Sequence, residues 1–315
     1  MKHFYLIIIL LFSTKTQSQV YFGKIDKFDI YLNLDHPLDE FTTIYGVTYF
    51  YQSKLQNVWL DGIISRDSVI LYRQYTEKED AEELFLLKKQ GDDLVGTWSN
   101  NGKQFEVNLK PSQEDLSFFK TEQFDFIRDS ISSFQDKELV WFTEKYSKTS
   151  LFRLGNGFSN NQRIYFNEIL DRIQFVNAQT VLDCQYTELY TEITLLSEQY
   201  ISFLDHSEVD CGGVHPNHGL DSYNFDLKNI KLLESINEVY PNLDFVKLLE
   251  EKYANSSDLI EECEYFSGNN NCWEYANWVF VKDGIEIIPY FPHVMTPCIE
   301  AFPISFEEIK VFQNK

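Results

Sequence analysis

The chain has 315 residues, of which 43% are hydrophobic and 16% aromatic, and it carries a formal charge of -22 at pH 7. Such a composition belongs to a folded globular protein rather than a disordered tail. The excess of acid argues against a nucleic-acid partner, because phosphate contact needs clustered Lys and Arg. A cationic partner or bound Ca²⁺ is compatible with it.

The N-terminus opens with Met1-Lys2-His3 and an apolar run from Phe4 to Phe12, followed by small and polar residues from Ser13 to Gln19. This order predicts an export signal over residues 1–19, cleaved after Ser18 or Gln19. Nine apolar residues fall short of the roughly 20 that a membrane-spanning helix needs. No Cys follows the run, so a lipoprotein anchor is not expected, and no later apolar run has spanning length. The expected product is therefore exported, periplasmic or secreted, and without a transmembrane anchor. Removing Lys2 and Lys15 leaves it more acidic still.

Residues 20–110 read as consecutive short strands. Ile30, Leu32 and Leu34 alternate with Asp29, Tyr31 and Asn33. Tyr45, Val47, Tyr49 and Tyr51 make a second row of period two, and Phe105, Val107 and Leu109 a third. One face of each strand thus meets a core and the other meets water. Turn chemistry falls at Asp61-Gly62, Gly91-Asp92-Asp93 and Asn101-Gly102. Asn-Gly accepts the positive φ of a tight hairpin, so 93–99 and 103–109 should pair. Seven or eight such strands predict an antiparallel meander, either a curved sheet or an open barrel.

Lys110-Pro111-Ser112-Gln113 reads as a linker into a second domain, 111–315. There, Asn161–Gln174 sets Ile164, Ile169, Leu170 and Ile173 at helical spacing behind an Asn cap. Residues 184–194 and 198–204 read as a strand pair. Asn242–Ala254 reads as a helix through Leu243, Val246, Leu249 and Tyr253, with Pro241 just before it. Trp278–Lys282, Asp283-Gly284 and Ile285–Tyr290 form a hairpin signal. Helices and strands segregate, so the fold class is α+β: an all-β N-terminal meander followed by a mixed domain with an antiparallel sheet.

The five cysteines lie in the second half, and in an exported chain they are candidates for bridging. Cys263 and Cys272 flank the turn-rich Ser267-Gly268-Asn269-Asn270-Asn271 and predict a local bridge. Cys211 and Cys298 sit beside Gly- or Pro-rich loops and form the second expected pair, which leaves Cys184 over. No CxxC occurs, and a thioredoxin-type role has no support.

Metalloprotease, serine-hydrolase, phosphate-loop, dinucleotide and EF-hand motifs are absent from the sequence. Gly155-Asn156-Gly157-Phe158-Ser159 has no basic residue in phosphate-loop register and reads as a turn. The stretch Asp205–His218 holds three His, three carboxylates and Cys211 within fourteen residues. Imidazole, thiolate and carboxylate are zinc ligands, so one reading is a metal-dependent hydrolase built on His206, Asp210, His215 and His218, with Asp210 or Glu208 as base. The other is a tight loop between two strands, freed by Gly212-Gly213 and braced by His215. In that reading Gly212, Gly213, His215, Pro216 and His218 are the candidate binding loop, and no cofactor is expected. Trp59, Trp98, Trp141, Trp273 and Trp278 could include a sugar-stacking platform, although strand-borne Trp is ordinarily core.

Several short segments also resemble a known domain: Tyr200-Ile201-Ser202-Phe203; Gly212-Gly213-Val214-His215-Pro216; Tyr223–Lys228; Trp278-Val279-Phe280; Asp283-Gly284-Ile285; Ile288–His293; Thr296-Pro297; and Phe302–Phe306. In this order and spacing they resemble the extracytoplasmic C-terminal domain shared by lysozyme-sensing anti-sigma factors of the RsiV type and peptidoglycan deacetylases of the PdaC type. The resemblance covers residues 180–312. It implies an α+β fold and a binding or scaffold role without catalytic residues, with a cell-wall glycan or a cationic protein such as lysozyme as partner. The chain departs from the pattern at Pro297-Cys298-Ile299-Glu300-Ala301, and it has no deacetylase module or sigma-binding segment, so neither of those activities carries over.

Overall fold

A computed structural model describes residues 19–34, 36, 38, 41–73, 83–134, 136–184, 186–211, 215–254, 256, 259–266 and 271–314. The expected export signal lies outside this set. The chain divides into two compact units between Phe119 and Lys120.

In the first unit, period-two alternation produces eight strands: β1 (Val20–Ile25), β2 (Phe28–Asn33), β3 (Thr42–Tyr51), β4 (Val58–Ser65), β5 (Ser68–Arg73), β6 (Glu83–Gln90), β7 (Asp93–Asn100) and β8 (Lys103–Ser112). Each pairs antiparallel with the next, and β8 returns to pair with β1, so the meander closes into a barrel. Closure removes both sheet edges. The interior is filled by inward residues such as Ile30, Leu32, Ile44, Leu60, Leu71 and Phe85, all fully buried.

Asn101 and Gly102 both have positive φ and join β7 to β8 with Asn100 opposite Lys103, the hairpin expected of Asn-Gly. Asp61-Gly62 is not a turn; both residues lie inside β4, with Gly62 opposite Leu71. A Cβ at Gly62 would press on the Ile70 carbonyl oxygen at 2.5 Å, so here glycine serves close strand approach rather than chain reversal. Gly96 in β7 does the same against the Leu86 carbonyl. Lys110, Pro111 and Ser112 are the last residues of β8, where Pro111 sits opposite Tyr21, and are not a linker.

The boundary with the second unit falls within the short helix α1 (Leu116–Thr121). The second unit contains β9 (Phe126–Phe134), β10 (Lys137–Glu144) and β11 (Ser150–Leu154) in one sheet. The long helix α2 spans Asn160–Asp183. Ser159 caps it, and Gln162 closes the capping box. A second sheet comprises β12 (Tyr186–Leu196), β13 (Tyr200–Asp210), β14 (Asn217–Asp226) and β15 (Lys231–Leu233). After α3 (Phe245–Tyr253, capped by Asp244) come β16 (Asn277–Val281), β17 (Gly284–Ile288), β18 (Phe302–Ser305) and α4 (Phe306–Gln313). The β16–β17 turn residues are Lys282-Asp283, one position earlier than the Asp-Gly signal, because Val281 pairs with Gly284.

One core joins Phe166, Leu170 and Ile173 of α2 to Phe152, Phe203 and Phe225. A second surrounds Trp278, Phe280, Ile287 and Phe302. Among the described residues, no helix is long and apolar enough to cross a membrane.

Two disulfides cross this unit, Cys184–Cys211 and Cys263–Cys298. Both expected pairs, Cys263–Cys272 and Cys211–Cys298, are therefore corrected, and Cys184 is bridged. The first bridge follows from hairpin register. Tyr186 stands opposite Asp210, which brings the flanking Cys184 and Cys211 to a Cα separation of 4.1 Å. In the second core the Cys272 thiol donates instead to the Tyr265 carbonyl at 3.7 Å, leaving Cys298 to reach Cys263 across a Cα separation of 5.5 Å.

Candidate functional site

Most of the stretch Asp205–His218 is strand rather than loop. Asp205–Asp210 finish β13, Asn217 and His218 begin β14, and Glu208 pairs with His218 across the ribbon. Alternation then sorts the stretch onto two faces. One carries Glu188, Tyr190, Glu192, His206, Glu208, Asp210 and His218, and the other carries Thr191, Asp205 and Asp221.

On the first face the His206 ring stacks on Tyr190 with centroids 4.3 Å apart and planes 7° off parallel. Its Nε2 lies 3.4 Å from Glu192 Oε2, while His218 Nδ1 lies 3.9 Å from Glu208 Oε2. Each imidazole thus faces one carboxylate. His215 is exposed, with Nδ1 3.2 Å from the adjacent Pro216 carbonyl. Gly212 and Gly213 lie outside the described residues. Among the described residues no group of three or more His, Cys, Asp or Glu could hold a metal ion. The Cys211 sulfur, the best soft ligand of the stretch, is committed to Cys184. The sequence proximity of His206, Asp210, His215 and His218 therefore does not become a ligand cage.

On the other face Asp205 is buried and accepts from Asn177 Nδ2 at 2.7 Å and from Thr191 Oγ1 at 3.0 Å. Desolvation holds its carboxyl above the ordinary aspartate range, against the pull of these hydrogen bonds. Asp221, opposite it in register, is raised first by desolvation and then by the Asp205 charge. The pair was hidden in the sequence because Asp221 is sixteen positions from Asp205 and meets it only through β-pairing.

None of the five tryptophans is exposed, Trp59 being half-buried. Trp98, Trp273 and Trp278 are buried, and Trp273 Nε1 donates to the Tyr265 carbonyl at 2.8 Å. Trp141 is half-buried and donates to Ser132 Oγ at 2.9 Å. The exposed aromatic pair is Tyr275 with Tyr290, 69% and 56% accessible, set edge to face at 6.4 Å. No flanking motif singles out Tyr275, while Tyr290 falls within the Ile288–His293 segment.

These features define an all-β barrel followed by a disulfide-bridged α+β unit. No family model matches the chain, and no curated protein does. Among solved structures it is similar to a DUF3298 family protein from Pseudomonas aeruginosa, at 8% identity and a TM-score of 0.34, over 59% of this chain and 92% of the other. A likeness at that level carries no argument about fold or function.

Proposed function

We propose that this chain is an exported, non-catalytic binding protein of the bacterial cell envelope, whose ligand is a cell-wall glycan or a cationic protein such as lysozyme. The observation that carries the address is the pair of disulfides. Bridges of this kind form and persist in oxidising compartments outside the cytoplasm. The N-terminal signal pattern and the resemblance of residues 180–312 to the RsiV and PdaC extracytoplasmic domain support the same address.

Two surface features support binding. The formal charge of -22 attracts a basic protein over roughly one Debye length, about 10 Å at 0.1 M salt. The exposed Tyr275–Tyr290 pair offers ring faces of the kind on which sugars stack.

The test is co-sedimentation with purified peptidoglycan and pull-down with lysozyme, each at low salt and at about 0.5 M NaCl. Capture of lysozyme that fades with salt supports the cationic ligand. Salt-resistant sedimentation that drops in Tyr275→Ala/Tyr290→Ala supports the glycan. If the chain is recovered with neither, the reading fails.

A further inference from the structure

The barrel interior is built almost wholly from Ile, Leu, Val and aromatic side chains, yet a carboxylate enters it. Glu83, the first residue of β6, is only 3% exposed. Its Oε1 accepts from the Tyr49 hydroxyl and, at 2.9 Å, from Trp98 Nε1. Both donors are neutral. Among the described residues no Lys, Arg or His lies within ion-pair distance of Glu83. Burying a carboxylate without a counter-charge is unfavourable, so this position favours a cation.

The surroundings select the kind of cation. Tyr49 packs against Tyr51 at 5.7 Å and Phe85 at 5.3 Å, and Trp98 against Phe105 at 6.0 Å. Two rings therefore bond the carboxylate, and three more pack on those two. A divalent metal would need further oxygen, nitrogen or sulfur ligands, whereas the side chains packed around the two donors are aromatic. Faces of this kind attract organic ammonium groups by cation–π interaction.

Register places the cluster at one end of the barrel. Glu83 stands opposite Asn100 beside the Asn101-Gly102 turn, and Tyr51 stands opposite Ile30 near the β1–β2 turn. Tyr51 and Phe105 are half-buried, so the ring wall reaches the barrel mouth, where small barrels commonly take ligands.

We propose that this end of the barrel binds a small organic ammonium ion, with Glu83 as counter-charge and the Tyr51 and Phe105 rings as the movable wall. The Tyr49 and Trp98 bonds hold the carboxylate in place. The entering cation displaces ring edges toward solvent and leaves the strands where they are.

The experiment is a titration of the full chain with tetramethylammonium chloride, with sodium chloride at matched ionic strength as control. It is read by calorimetry and by the Trp98 indole N–H resonance, assigned through Trp98→Phe. The expected result is saturable binding of tetramethylammonium with a Kd below about 10 mM, a shift of that resonance, and no response to sodium. Glu83→Gln, which keeps an acceptor for Tyr49 and Trp98, should weaken binding at least about tenfold. Should that variant lose its fold by circular dichroism, Tyr51→Leu, at the half-buried rim, should weaken binding about threefold or more by removing one ring. No saturable signal, an equal response to sodium, or undiminished binding in the folded variant overturns the proposal and leaves Glu83 as an internal acceptor only.

Discussion

At the residue scale, the informative positions are polar groups in places that favour apolar ones. Asp205 and Asp221 face each other across β13 and β14, and both are held above the ordinary aspartate value of about 3.9 with desolvation as the leading cause. A carboxyl raised in the folded state binds more protons there than in the unfolded chain. Stability then falls as pH rises from the unfolded value through the folded one. Asp221→Asn removes a raised acid and the like charge facing Asp205. Thermal melts between about pH 4 and pH 7 should therefore lose less stability with rising pH in Asp221→Asn than in the parent; parallel profiles would refute the coupling. Cys272 shows the reverse of a reactive thiol. Burial pushes it up to about 11, which suits packing inside the second core rather than redox chemistry. The histidines near His215 were easy to find in the sequence, because cluster density is a local property. Their faces were not, since a run with polar residues on both sides of a ribbon gives no alternation to read.

At the scale of elements, legibility depended on whether a signal was local. Asn101-Gly102 reads correctly because positive φ is a preference of the two residues themselves. Asp61-Gly62 misleads because its glycine answers a neighbour on β5, which the local sequence does not contain. The helix at Asn160–Asp183 was visible in its start through apolar spacing, although Ser159 rather than the expected Asn caps it, and it runs nine residues beyond the expected end at Gln174. The extension carries Asn177 to Asp205 and Ala178 and Leu182 into the core. At the end of this helix the Cys184–Cys211 bridge joins the two strands at the open end of the β12–β13 hairpin, away from its turn. Its sequence separation is 27, for which chain entropy gives about 3.5 kcal/mol. Cys184→Ala/Cys211→Ala should lower the unfolding free energy of the second unit by that amount, measured by guanidinium titration. A loss under about 1 kcal/mol would mean that hairpin register alone holds this end.

For the whole molecule the dominant quantity is charge. With a formal -22, self-repulsion weakens the folded state wherever it is unscreened. Raising NaCl from about 10 mM to about 150 mM, which shortens the Debye length from about 30 Å to about 8 Å, should raise Tm by a few degrees. A Tm that falls or stays level would show that stabilising ion pairs outweigh the repulsion. The sequence by itself determined composition, acidity, the succession of short strands, and an α+β order with the meander first. Those properties arise from residue type and from periodicity along the chain. Only the tertiary structure decided that the meander closes, through pairing of β1 with β8 across nearly the whole barrel sequence. It alone decided which cysteines bridge, which carboxylates face each other, and that Glu83 meets Tyr49 and Trp98 inside the barrel. Each of those is a contact between distant positions, and strand register, rather than local preference, sets which distant residues meet.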